Sequence, residues 1–144
     1  MSTEAWSAME DRQAISDALA EYAYRWDRKD SAAFADLFTE DAVIDWVLGG
    51  EPVDQRVEGR SEILGYARRA HEERIGDRQS RHHFTNLIVR ELGPDSAVSE
   101  NMLLVTHQPP GGPIEVKSSG WYRIVWAKVG GRWLIANRTL HVDR

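Results

Sequence analysis

The chain has 144 residues, a formal net charge of −5 and no cysteine. Those numbers predict one domain over residues 1–144, large enough to hold a core without crosslinks, and exclude disulfides, a thiolate nucleophile and any cysteine-ligated metal. No apolar run approaches the roughly 20 residues of a membrane helix, the acidic opening MSTEAWSAMEDR does not read as a signal peptide, and the scattered basic residues argue against a nucleic-acid partner, which needs a concentrated basic face.

The first element predicted is a helix over residues 9–29, because Ile15, Leu19, Tyr22 and Trp26 recur at helical spacing. Asp27 lies at the edge of that stripe and Tyr24 points away from it. Asp30 or Ser31 caps a short helix over 32–38. The β-branched and aromatic run 42–47, with Trp46, reads as a strand ended by Gly49-Gly50. Ser61 is the expected cap of a third helix over 62–74, and the charged stretch 72–80 overlaps its end as a loop. Four strands follow, over 81–92, 97–108, 114–129 and 132–142, with Gly130-Gly131 as a two-residue hairpin turn between the last two. Helices first and antiparallel strands after them predict an α+β fold with helices on one face of a sheet. A long strand set of this kind curls, and its concave side becomes a pocket.

Three titratable residues are candidates for chemistry. Asp27 ends the first helix, and a carboxylate tucked under a sheet wants a cation or donor beside it. A histidine is the natural partner, since the carboxylate orients the ring while the other nitrogen acts on a substrate. In Arg81-His82-His83-Phe84-Thr85-Asn86, alternation puts His82, Phe84 and Asn86 on one face and His83 and Thr85 on the other. One histidine faces inward, and the sequence leaves open which. His107 stands at the end of a strand, on the pocket rim. No HxH or HExxH spacing supports a metal, no glycine-rich phosphate loop supports a nucleotide, and no GxSxG elbow is present. No cofactor is expected. Six tryptophans supply flat apolar surface with one donor each. They suit a tryptophan-rich core, a dimer face or a pocket for flat or hydrophobic molecules.

The segments Glu21 to Asp30, Phe34 to Ala42, His82 to Asn86 and Gly131-Arg132-Trp133 together resemble SnoaL-like proteins of the nuclear-transport-factor-2-like superfamily. The likeness runs in order along nearly the whole chain. It implies a cone, in which a curved sheet and the N-terminal helices enclose an apolar pocket. The closest functional resemblance is to scytalone dehydratase-type cofactor-free lyases. They pair an Asp after the first helix with a His on a later strand and add a second His, positions held here by Asp27, His82 and His107. Tyrosines that grip the substrate carbonyl in those enzymes are Trp26 and Trp46 here. A Ser and an Asn of their long strand correspond to Gly120 and Tyr122.

The function this implies is a dehydratase-type elimination on a small hydrophobic, aromatic or terpenoid-like or polyketide-like substrate. Asp27, His82 and His107 would be catalytic, with Tyr22, Trp26, Trp46, Asn86 and Tyr122 holding the substrate. An isomerase or cyclase uses the same parts. A non-catalytic ligand-binding module and a dioxygenase small subunit are rivals from other classes. A cytoplasmic location and a homodimer or homotrimer are expected, with Trp121, Ile124 and Trp126 on the long strand offering an outer apolar face.

Overall fold

Helix α1 spans Thr3–Asp27 in the computed structural model, which describes residues 2–144. Ser2 fixes its start by accepting the Ala5 N–H at 3.2 Å. The buried stripe is the one that the spacing predicts: Ile15, Leu19, Tyr22 and Trp26. Asp27 closes the helix, and Lys29 redirects the chain with a left-handed φ of 59°. Asp30 then caps α2, Ser31–Ala35, by accepting the Ala33 N–H at 3.1 Å. This short helix seats Phe34 edge-on against Tyr22 and Trp26, with centroids 4.8 Å apart in each pair.

Strand β1, Phe38–Leu48, extends beyond the expected run at both ends. Gly49 and Gly50, at φ 57° and 85°, make the hairpin turn into β2, Glu51–Glu58. No strand was expected there. β2 lies at the sheet edge, almost wholly exposed, so it carries no alternation to read and tolerates Pro52. Helix α3, Arg60–Arg69, starts at Gly59 without a side-chain cap. Ser61 therefore lies inside the helix rather than capping it. Arg60 anchors the start instead, donating from two nitrogens to the Phe38 carbonyl at 2.9 and 2.6 Å.

A π-helical turn, Ala70–Ile75, follows directly, closed by the Gly76 N–H on the His71 carbonyl at 3.0 Å. The stretch expected as a loop is thus helical to Ile75 and strand again from Gln79. Strands β3 (Gln79–Leu92), β4 (Ser96–Gln108), β5 (Glu115–Val129) and β6 (Arg132–Val142) complete one curved sheet. Its order is β2-β1-β6-β5-β4-β3, antiparallel throughout except for β1 beside β6.

The core joins Ile44, Ile124, Trp126 and Ile135 of the sheet to Ile15, Leu19, Phe34 and Ile63 of the helices. Each such burial stabilises the fold by about 1.5–3 kcal/mol. Ile124 and Trp126 are therefore core residues and not part of an outer apolar face. Trp121 alone of the three points to the other side, stacked on His141 at 3.8 Å. Among the described residues no helix is long and apolar enough to cross a membrane.

Two bulges reset which side chains face inward. In β3 the register against β4 shifts between Thr85 and Ile88, with Asn86 at φ 58°. Phe84 packs on the core before the bulge, and Leu87 and Val89 do so after it. In β6 the register against β5 skips Ala136. Trp133 and Ile135 face the core before it, while Arg138 and Leu140 line the concave side after it.

Candidate active site

The concave side of the sheet encloses a cavity of about 420 Å³. α1 contributes Tyr22 and Trp26, β1 contributes Trp46, and α3 with its π-helical extension contributes Tyr66, Arg74 and Ile75. His82, Leu103, Val105 and His107 come from β3 and β4, and Lys117, Ser118, Tyr122, Arg138 and Leu140 from β5 and β6. Tyr22, Tyr122 and Arg138 are buried and form the floor, whereas Arg74 and Lys117 are exposed at the mouth beside half-buried Arg78.

The end of α1 and the start of β3 lock together at Asp27. Its Oδ1 accepts from the Ser80 hydroxyl and pairs with His82 Nδ1, both at 2.8 Å, and its Oδ2 accepts the His82 backbone N–H at 2.8 Å. The Gln79 amide donates to the Asp27 carbonyl at 2.9 Å. The side chains of Asp27 and His82 are only 5 and 9% exposed. Burial by itself pushes the Asp27 carboxyl up. The ring bond and charge of His82, its backbone N–H and the Ser80 hydroxyl outweigh that and hold the carboxyl below its usual range. With Nδ1 engaged on the carboxylate, Nε2 is the ring nitrogen left free for a substrate. Of the two adjacent histidines, His82 is the one that lines the cavity. His83 is exposed and bonds Thr106 Oγ1 at 3.1 Å.

His107 lines the same cavity, its Nδ1 buried without a partner. Burial lowers its pKa, and the positive charges of Arg78, Lys117 and Arg74 lower it further, so the ring is neutral at pH 7. At the floor, the Tyr22 and Tyr122 hydroxyls lie 3.4 Å apart, and Arg138 Nη1 donates to Tyr22 at 3.1 Å. Arg138 Nη2 donates to the Asp45 carbonyl at 3.2 Å. Its guanidinium stands 5.0 Å from the Trp46 ring centre and 5.2 Å from that of Tyr122. Burial raises the Tyr122 pKa well above its usual value, so the phenol keeps its proton.

Tyr22, Trp26, Trp46 and Tyr122 thus share one cavity with His82 and His107, and Asp27 stands directly behind His82. Asn86 does not join them. The bulge turns it to the exposed side, in a separate shallow groove with Ser16, Leu19 and Ala20. Its left-handed φ makes it the residue that forms the bulge, a conformation asparagine tolerates better than most. Gly120, matched above to a serine, has no room for a side chain. A Cβ there would come 2.0 Å from the His141 carbonyl oxygen.

The sequence reading missed several residues of the site: the lining residues Tyr66, Arg74, Arg78, Lys117 and Arg138, and Ser80 beside Asp27. Ser80 carried a readable signal, since a residue two before His82 in a strand shares its face. Arg138 carried none, because continuing the alternation from Trp133 and Ile135 turns it outward and only the bulge at Ala136 brings it in. His71 is buried against Trp26 and pairs with Ser31 Oγ at 2.6 Å. Among the described residues no three His, Asp or Glu side chains converge as metal ligands.

No curated protein sequence matches this chain at a significant level. Solved structures do. A variant of the Mycobacterium tuberculosis protein Rv3472, of unknown function, is 27% identical with a TM-score of 0.83, covering 100% of this chain and 78% of its own. A Catenulispora acidiphila protein in complex with S-DNPA is 25% identical with a TM-score of 0.77, covering 93% and 94%. A Novosphingobium aromaticivorans protein provisionally named scytalone dehydratase is 20% identical with a TM-score of 0.81, covering 95% and 87%, a likeness of fold. The SnoaL-like domain family matches residues 7–139, and the chain belongs to it, with the nuclear-transport-factor-2-like fold that the sequence predicts.

Proposed function

We propose that this protein is a cofactor-independent lyase that eliminates a small leaving group from a hydrophobic substrate by Asp27–His82 acid–base chemistry. The observation that carries the reading is the 2.8 Å pair between Asp27 Oδ1 and His82 Nδ1 behind a cavity lined by His82. Asp27 holds the Nδ1–H tautomer, which leaves the Nε2 lone pair as the base. Nε2 takes a proton from a substrate carbon, the C–H electron pair becomes the new double bond, and the leaving group departs with its own pair. The imidazolium, stabilised by Asp27, returns the proton to a leaving hydroxyl as water. Neutral His107 donates a hydrogen bond to the departing group. The Tyr22 and Tyr122 hydroxyls meet the negative charge that develops on a conjugated oxygen. The aromatic walls Trp26, Trp46 and Tyr66 suit a ring-bearing body.

The test is an incubation in deuterated water with hydroxylated and halogenated aromatic and terpenoid compounds, read by mass spectrometry. Wild type is expected to produce mass loss, and Asp27→Asn and His82→Gln to abolish it. Deuterium uptake without mass loss reassigns the protein to the isomerases. Binding without either change makes the Asp27–His82 pair structural and the protein a binding module.

A further inference from the structure

The charge inside the cavity is opposite to the charge of the chain. The protein carries −5 overall, yet Arg74, Arg78, Lys117 and Arg138 all line the cavity and no Asp or Glu does. Lys117 is paired with Glu115 at 3.2 Å, and Arg78 is spent partly on the Ile75 carbonyl at 3.2 Å. Arg74 reaches the Tyr66 hydroxyl at 3.3 Å.

Arg138 is the exceptional member. It is 3% exposed, and no ion pair to a carboxylate is formed by it among the described residues. Two of its five N–H groups reach neutral acceptors, the Tyr22 hydroxyl and the Asp45 carbonyl, and its Nε is buried without any partner. A buried charge with no counter-charge is expensive to maintain. The two aromatic rings beside it offset part of that cost, and Arg138 lines the cavity without a negative partner.

We propose that the cavity's ligand is an apolar-bodied carboxylate, whose negative group is the missing counter-charge of Arg138. The ring or hydrocarbon body lies along Trp26, Trp46, Leu103 and Val105. Arg74, Arg78 and Lys117 draw the anion in through the mouth, where attraction is felt as a faster approach. A planar, forked guanidinium takes a carboxylate better than a point charge does. This assignment names the substrate class of the reaction site proposed above and rests on that reading for the word substrate.

The test compares matched pairs, 1-naphthoate with 1-naphthamide and benzoate with benzamide. Equilibrium binding is followed by tryptophan fluorescence and calorimetry at low salt. Wild type is expected to bind each carboxylate about tenfold or more tighter than its amide. Arg138→Met should erase that preference while keeping the amide affinity, and Arg138→Lys should retain part of it. Equal affinity for acid and amide in wild type overturns the proposal, as does a preference that survives Arg138→Met. If Arg138→Met does not fold, the wild-type comparison and Arg138→Lys decide, with an unchanged preference in the lysine variant counting against the guanidinium. The readout needs no turnover. A carboxylate that binds and never reacts refutes only the acid–base reading, and a neutral compound that reacts without any carboxylate preference refutes only this one.

Discussion

Asp27→Asn is the most informative single change, because it alters charge and proton geometry while nearly preserving shape. The carboxylate accepts three hydrogen bonds, from the Ser80 hydroxyl, the His82 backbone N–H and His82 Nδ1. An amide offers one oxygen and an NH₂; the oxygen stays with the His82 backbone N–H, which cannot change its role, and the NH₂ faces His82 Nδ1, so the charge-assisted ring bond is lost. Losing one charge-assisted bond in a buried place costs about 2 kcal/mol, a fall of about 6 °C in melting temperature for a chain of this length. On the proposed elimination the effect is larger. An NH₂ facing Nδ1 selects the Nε2–H tautomer, which removes the base, and a loss of about 10²–10⁴-fold is expected. The assay is nitrogen NMR of the histidine rings at pH 7.5, with the His82 signals assigned by their absence in His82→Gln. Wild type should have Nδ1 protonated and Nε2 bare, and the variant the reverse. An unchanged tautomer, together with unchanged elimination, would refute the reasoning.

Acid stability follows from the same residue. The folded Asp27 carboxyl titrates below its ordinary 3.8, so its contribution is complete above that pH and is lost as pH falls through the lower folded value. Asp27→Asn should flatten the acid limb of the stability curve, as measured by urea unfolding between pH 5 and pH 2. His107 should titrate below 6.5. Its folded state resists protonation, so stability is lost as pH falls from 6.5 through the lower folded value, and His107→Gln should remove that loss. Gly120→Ala should destabilise by about 3 kcal/mol, read in thermal melts, because its Cβ would overlap the His141 carbonyl oxygen. Asn86→Ala should cost about 1 kcal/mol through its left-handed backbone and leave turnover unchanged, while Asn86→Gly should be near neutral. We also expect a homodimer or homotrimer by sedimentation. Exposed Met102 and Leu104 on β4 are the residues whose change to lysine should dissociate it.

The fold was legible where one face of an element is buried and the other is not. Ile15, Leu19, Tyr22 and Trp26 define α1 because helical spacing and burial coincide there. The last four strands keep enough alternation to be located within a residue or two. β2 was invisible for the opposite reason, since a polar edge strand buries nothing and leaves no pattern. Asp27, His82 and His107 could be singled out because the ends of helices and strands put titratable groups beside apolar runs. The two bulges defeat this logic, because a single extra residue reverses the facing of everything after it. That reversal removed Asn86 from the cavity and put Arg138 into it. No local property of either residue announces the change.

The π-helical turn bears on how such a protein can diversify. A π turn holds an extra residue within a continuous helix, so the segment around Ala70–Ile75 can absorb an insertion or deletion while α3 and β3 keep their places. The Asp27–His82 pair sits on α1 and β3, outside that segment, whereas Arg74 lies within it and Arg78 just beyond. Lys29 donates to the Gly76 carbonyl and tethers the far end of the turn close to Asp27. Selection can therefore rewrite the cationic entrance of the cavity, and with it which molecules are admitted, while the Asp27–His82 pair keeps its place. Paralogues with altered diets should differ first along this turn.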